Sequence, residues 1–150
     1  MKTASEIVSV LNNLIETNVE RIKGYEKAAQ DTEDTELKEL CLSYAAQSKA
    51  FKTQLEQLVK EYNGKPQENG STKGAVYRAA GVKHSISDPK KSVLSTCETG
   101  EDVALENYKH AKIDSLGFPA RVVTIILNHN SEIIKALEKI RFFQNVLTEH

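Results

Sequence analysis

The sequence predicts an all-α protein in which four long amphipathic helices pack into one bundle. Three observations predict this class. Apolar residues recur about every 3.6 positions in four separate segments, and no segment alternates as a strand does. Glycine and proline fall mainly between the four segments. Apolar stripes of this length can be buried only against one another, so we expect residues 1–150 to form a single domain.

The first two segments predict a helical hairpin. Helix one covers about residues 5–30 with Ser5 as its N-cap, and helix two covers about residues 34–62 and stops at Asn63 and Gly64. Only a few residues around Thr32 separate the two helices. Because a short connection makes neighbouring helices antiparallel, these two are expected to pair.

The last two segments predict a second hairpin of the same kind. Helix three begins near Asp88, which suits an N-cap, and Pro89, which suits the first helical position. It ends before Ser115, and helix four covers about residues 119–147. The link between these two helices is again short, so they too are expected to be antiparallel neighbours.

The connection between the two hairpins decides the topology. It covers residues 64–88, which is long enough to travel the length of the bundle, and a short helix capped by Ser71 is expected within it. Two antiparallel hairpins joined by one long crossover form the ferritin-like arrangement. A plain up-down-up-down bundle with a bulky loop is the alternative.

The bulk composition excludes several classes of function. The chain has 20 Lys and Arg residues against 21 Asp and Glu residues, so it has no charge excess to attract nucleic acid. No apolar run approaches the roughly 18 residues of a membrane span, and the N-terminus lacks the apolar core of a secretory signal. Cys41 and Cys97 lie within apolar patterns, which indicates small buried thiols in a reducing cytoplasm.

Each of the four apolar stripes is interrupted by a polar residue near its middle. These residues are Asn18, Ser48, Glu101 and His129, and they are predicted to meet in one buried polar layer. Glu98 lies one turn from Glu101, at the edge of the stripe. An unpaired carboxylate is expensive to desolvate, so Glu101 needs a partner, a bound cation or a proton.

The position of this layer invites comparison with a di-metal centre. Ferritin-like bundles hold two metal ions with a Glu from each of two helices and a Glu-x-x-His from each of the other two. Here helix one offers Asn18, helix two offers Ser48 and Phe51, and helix four has His129 and Glu132 in the reverse order. The sequence therefore predicts a degenerate site that binds no cofactor.

A reduced metal site is the competing interpretation. One iron or manganese ion held by Glu98, Glu101 and His129 would make the protein a metal-binding protein in iron or manganese handling or peroxide defence. The carboxylates on the core face motivate this alternative.

Structural roles explain the same residues without a metal. Glu98 and Glu101 can form a half-exposed charged edge with Lys90 or Lys112, and His129 can be a hydrogen-bonded core histidine. Tyr25 and Tyr108 are expected to pack with their hydroxyl groups on partners. Gly100 lowers helix stability, which predicts the close approach of a neighbouring backbone.

Several motifs resemble a known bacterial family of ferritin-like four-helix-bundle proteins, catalogued as a domain of unknown function. They are LNNLIET (11–17), GYEKAA (24–29), NGSTKGAVYR (69–78) and CETGEDVALENY (97–108). The resemblance covers nearly the whole chain, and the last motif is its most specific part. It implies a ferritin-like bundle and no established activity.

The chain departs from this family at two positions. Ala80 stands near Arg78 where members often carry tryptophan, and Leu137 stands where they often carry a histidine late in helix four. The second departure removes a metal ligand. Glu20 matches an acidic position of the family, yet the helical wheel places it opposite the apolar stripe, in solvent.

The sequence thus favours a cytoplasmic, non-enzymatic bundle that acts through protein association, as a homodimer, in a stress response. Its polar layer would fix the register of the helices. Enzymatic activity stays open, and nucleic acid and membranes are not expected as partners. The sequence does not indicate a reaction, a partner or a trigger.

Overall fold

The computed structural model describes residues 2–68 and 89–148, which form four helices: α1 (Ala4–Asp31), α2 (Thr35–Glu61), α3 (Pro89–Asp114) and α4 (Ala120–Thr148). These two ranges contain no strand, so the predicted all-α class is confirmed. None of the four helices is long and apolar enough to cross a membrane. The predicted N-cap Asp88 and the predicted short helix of the crossover lie outside the described residues.

The helix ends at the α1–α2 turn decide between the two predicted topologies. Asp34 caps the start of α2, and Lys90 at the start of α3 donates a hydrogen bond of 2.9 Å from Nζ to its carboxylate. The helices α2 and α3 therefore begin at the same end of the bundle and run parallel. An up-down-up-down bundle would place these two starts at opposite ends, so the long-crossover topology is confirmed.

Local capping explains where the helices of the first hairpin begin and end. The prediction of Ser5 as the first N-cap was wrong. The N-cap is Thr3, whose backbone is extended. Its hydroxyl oxygen accepts a hydrogen bond of 3.1 Å from the backbone N–H of Glu6. The predicted stop of α2 is borne out, since Asn63 has a φ of 61° and ends the helix in the left-handed region.

The apolar core consists of two clusters, one toward each end of the bundle. The first cluster includes Leu11, Leu14, Ile15, Leu55, Leu58, Tyr108, Ile126 and Ile133. The second cluster includes Tyr25, Leu37, Cys41, Leu94, Cys97 and Ile140, and it contains both cysteines as free, buried thiols. The boundary between the two clusters is occupied by buried polar residues on three helices, which are Arg21, Ser48 and Glu101.

Candidate functional site

A buried ion pair between α1 and α3 is the centre of the polar layer. Arg21 donates from Nε to Oε1 of Glu101 and from Nη2 to Oε2, each at 2.8 Å. The two side chains are only 2% and 1% exposed. This is the bidentate geometry in which two N–H groups of a guanidinium donate to the two oxygens of one carboxylate. Glu101 therefore has an internal cation as its partner.

The surroundings of Arg21 keep its charge in place. Burial alone would lower the pKa of Arg21, but the hydrogen bonds and negative charge of Glu101 outweigh it and raise that pKa. The guanidinium carbon also lies 5.3 Å from the ring centre of Tyr25 and 5.7 Å from that of Tyr44. The aromatic faces add to the attraction on this cation.

A directed chain of hydrogen bonds continues from Arg21 into the bundle. Nη1 of Arg21 donates to Oγ of Ser48 at 2.8 Å, and Ser48 donates to Oδ1 of Asn18 at 2.9 Å. The amide of Asn18 then donates from Nδ2 to the hydroxyl of Tyr108 at 2.8 Å. Each group donates onward to the next, so the chain links α1, α2 and α3 through hydrogen bonds between buried side chains.

The chain ends on α4 and returns to α2. The hydroxyl of Tyr108 lies 2.9 Å from Nδ1 of His129, and Nε2 of His129 lies 2.8 Å from Oε1 of Gln54. Since Oε1 of Gln54 can only accept, Nε2 carries the proton and Nδ1 accepts from Tyr108. Burial, followed by the charge of Arg21, lowers the pKa of His129 to about 4, which keeps the ring neutral.

The four residues assigned to the layer from sequence are all buried, and this network contains every one of them. Asn18 and Ser48 are 0% exposed, and Glu101 and His129 are 1% exposed. The sequence analysis missed Arg21. Its spacing of three residues from Asn18 was a usable signal, because residues three apart share a helix face. Arginine is seldom buried, so the apolar stripes did not draw attention to it.

Glu98 lies in different surroundings from Glu101. It accepts a hydrogen bond of 3.0 Å from Nε of Arg141 on α4, at a half-exposed edge. The structure thus realises the predicted charged edge for Glu98 alone, and with Arg141 in place of Lys90 or Lys112. Lys90 instead binds the N-cap of α2.

The structure does not bring Glu98, Glu101 and His129 together. In residues 2–68 and 89–148, no three His, Cys, Asp or Glu side chains are grouped so as to hold a metal ion. Both oxygens of Glu101 accept from Arg21, and both nitrogens of His129 are engaged by other side chains. A guanidinium and a metal ion compete for the same carboxylate, so this donor set does not fit a di-metal centre.

Three further expectations differ from the structure. A Cβ placed on Gly100 would meet nothing within 4 Å, so the expected close backbone approach was wrong. Glu20 is not in open solvent, because its carboxylate oxygens are buried in a groove between α1 and α3. Tyr108 has the expected hydroxyl partners, whereas the hydroxyl of Tyr25 has no partner at ordinary hydrogen-bond distance.

Comparison with known sequences places the chain in a family. The family described as "Domain of unknown function (DUF2383)" matches residues 6–112. No curated protein matches the chain by sequence.

Solved structures with the same arrangement of helices include two bacterial proteins. A ferritin-like, diiron-carboxylate protein of Bacillus anthracis superposes with a TM-score of 0.76 at 15% identity, over 95% of this chain and 99% of that one. The bacterioferritin of Rhodobacter capsulatus superposes with a TM-score of 0.82 at 12% identity, over 99% of this chain and 89% of that one. At such identities the likeness establishes the ferritin-like fold, as predicted, and nothing more.

Proposed function

The chain belongs to the family described as a domain of unknown function (DUF2383), and we propose that it is a non-enzymatic ferritin-like bundle that acts by protein association. The observation that carries the proposal is the two-point ion pair of Arg21 with Glu101. A guanidinium supplies the positive charge that the central carboxylate needs, so the helices can close around it without a metal ion.

The hydrogen bonds of the polar layer also connect all four helices, which would fix their register. These hydrogen bonds join α1 to α2, α1 to α3, α3 to α4 and α4 to α2. Sliding one helix by a turn would leave several buried polar groups without partners at once. This supports a structural role for the layer, with function residing on the surface of the bundle.

Exposed apolar side chains on the second hairpin support association. Leu127 and Ile134, seven residues apart on α4, are 48% and 41% exposed. Leu116 in the α3–α4 turn and Phe142 near the end of α4 are 72% and 56% exposed. Leu127 and Ile134 lie two turns apart on one face of α4, and exposed apolar side chains grouped on one face are typical of contact surfaces. The homodimer and the role in a stress response expected from sequence stay predictions.

Elemental analysis tests the absence of a metal function. Protein purified without chelator and then incubated with iron(II), manganese(II) or zinc(II) is expected to retain less than stoichiometric metal after desalting. Its melting temperature should not change on metal addition, because a ligand that binds only the folded state must stabilise it. Stoichiometric metal that is lost in Glu101→Gln would overturn the proposal.

Sedimentation analysis tests the association. We expect an assembly larger than one chain, and Leu127→Lys together with Ile134→Lys should shift it toward the monomer. The matched control places lysine at Ala50, an exposed position of α2, and should leave the assembly unchanged. A monomeric wild-type protein at high concentration would exclude self-association and leave only a different protein as the partner.

Metal binding by Glu98, Glu101 and His129 is the second candidate. It is favoured by the likeness to a protein whose own description is diiron-carboxylate. Glu101 would have to exchange Arg21 for a metal ion, and Glu98 would have to leave Arg141. This candidate therefore predicts that metal uptake disrupts the buried ion pair, so that Arg21→Met should raise metal affinity.

A further inference from the structure

A groove between α1 and α3 lies beside the polar layer, on the side of Arg21 and Glu101. Its volume is about 620 Å³, within the range of about 300–1,000 Å³ that is usual for small-molecule sites. Apolar side chains such as Val10, Leu14 and Ala104 form much of its described wall. This groove is separate from the residues considered above as metal ligands, apart from Glu101 at its floor.

The hydroxyl of Tyr25 has no close hydrogen-bond partner in the groove. Tyr25 is 4% exposed, it lines the groove, and its hydroxyl makes no hydrogen bond of ordinary length. A buried tyrosine hydroxyl ordinarily finds a partner, because an unsatisfied one is costly. Burial, then the charge of Glu101 and a long hydrogen bond to its carboxylate, raises the pKa of Tyr25 well above its ordinary value, so the hydroxyl keeps its proton and acts as a donor.

Two glycines leave space at the same place. Gly24 on α1 and Gly100 on α3 both line the groove in helix interiors, where glycine costs about 1 kcal/mol relative to alanine. A Cβ added at either position would meet nothing within 4 Å. Packing therefore does not require a glycine at either position, and the consequence of having two is a wider groove next to Tyr25.

The charges that line the groove limit what can enter it. Arg21 and Glu101 neutralise each other, whereas Glu16, Glu20 and Asp114 add negative charge, and no lysine is among the described lining residues. An anion entering the groove would be repelled by these carboxylates. The same carboxylates attract a cation, but a cation would lose its hydration against the apolar walls, which is costly. An uncharged ligand meets neither barrier.

We propose that this groove binds an uncharged, mainly apolar small molecule whose carbonyl oxygen accepts a hydrogen bond from Tyr25. The apolar part of the ligand would lie along Leu14 and Ala104. The space left by the missing side chains of Gly24 and Gly100 would make room for it. This site goes beyond the proposed function and does not depend on it, since neither association nor a missing metal is needed for it.

Fluorescence titration of the full chain with Nile red tests the site, because this dye is uncharged, carries a carbonyl oxygen and emits strongly in apolar surroundings. Saturable binding is expected. Tyr25→Phe should weaken it about three- to tenfold, the usual effect of one hydrogen bond, and should leave the free protein as stable as before or more so. Gly100→Leu should fill the groove and abolish binding. The matched control Ala50→Leu, at an exposed position of α2, should not change it.

Circular dichroism establishes that each variant is folded, and Gly24→Val replaces Gly100→Leu if the latter does not fold. An unchanged dissociation constant in Tyr25→Phe would overturn the assigned hydrogen bond. Tighter binding of the anionic dye 8-anilinonaphthalene-1-sulfonate than of Nile red would overturn the assigned ligand class. If the wild-type protein binds no Nile red, the proposed site is overturned.

Discussion

Two arginine–glutamate pairs, whose glutamates both lie on α3, have similar chemistry and opposite surroundings. Arg21 binds Glu101 at 2.8 Å with both side chains almost fully buried. Arg141 binds Glu98 at 3.0 Å with side chains that are 52% and 31% exposed. The two glutamates are only three residues apart in one helix. Burial is the main difference between the pairs, although Arg21 also binds both oxygens of Glu101, whereas Arg141 makes one hydrogen bond to Glu98 and lies 3.7 Å from Asp102.

Burial changes what each pair does for the protein. In water the attraction of an exposed pair is screened, and the side chains lose rotamer freedom when they meet. Inside the bundle neither charge is hydrated, so each is stabilised mainly by the opposite charge of its partner. The buried pair therefore constrains which helices can pack together, whereas the exposed pair adds little to a packing that is already set.

Removing the buried cation has the largest expected effect. Arg21→Met leaves Glu101 with a buried, uncompensated charge and should lower the free energy of unfolding by about 3–5 kcal/mol. Urea unfolding followed by circular dichroism measures this loss. Arg141→Met is the matched control, since it makes the same substitution at the exposed pair.

A double substitution sharpens the same comparison. Arg21→Met combined with Glu101→Leu removes both charges at once and should recover most of the loss, because an apolar pair of similar volume is often as stable as a buried ion pair. If Arg21→Met alone is as stable as the wild type, the ion pair is not the centre of the layer.

The pH dependence of stability reports the neutral state of His129. Its pKa is about 4 in the folded protein and about 6.5 when exposed, so folding favours the uncharged ring. The stability from this group is fully present above about pH 6.5 and is lost as the pH falls toward 4, by about 3 kcal/mol in total. Unfolding measured between pH 7 and pH 4 in His129→Gln should lack this component.

His110 provides the control for this pH effect. It is an exposed residue of α3, 3.2 Å from Glu106, and both side chains are at least 60% exposed. His110→Gln should retain the pH-dependent component that is assigned to His129. A profile that changes equally in both variants would assign the effect to the total histidine charge and not to the buried ring.

Breaking the hydrogen-bond chain at its middle has a smaller expected effect. Ser48→Ala removes the acceptor of Arg21 and the donor to Asn18, both buried, and should cost about 1–3 kcal/mol. Thermal unfolding compared with Ser43→Ala measures it. Ser43 is exposed and bonds only the backbone of Leu40 in its own helix, so its loss should be close to neutral. Equal melting temperatures for the two variants would contradict a coupled network.

The sequence predicted most of the fold because its information is periodic. The four apolar stripes and the short turns give the number and order of the helices and the two antiparallel hairpins, and the length of the 64–88 connection favours the long crossover. The direction of α3 relative to α2 was decided by the contact of Lys90 with Asp34. The polar interruptions at Ser48 and Glu101 were equally readable, because a polar residue within an apolar stripe breaks its pattern.

The partner of Glu101 was not readable in the same way. A helical wheel gives the face on which a residue lies, but it does not say whether a long side chain extends to solvent or turns inward. The side chain of Arg21 points inward because it binds the carboxylate of Glu101 on α3. That contact depends on how α1 packs against α3, which a helical wheel does not show. The same reason explains Glu20, which lies off the apolar stripe and faces the groove that only the packed pair of helices creates.

Substitution at the exposed Arg141–Glu98 pair has the smallest expected effect on stability. Glu98→Gln keeps the side-chain shape and removes only the charge, so it should lower the free energy of unfolding by about 0–1 kcal/mol. The effect should shrink further at 1 M salt, where the screening length is only about 3 Å. Glu101→Gln, measured in parallel by urea unfolding, should be several times more costly and almost independent of salt. If both substitutions respond to salt alike, then water reaches the Arg21–Glu101 pair, and burial is not what distinguishes the two carboxylates.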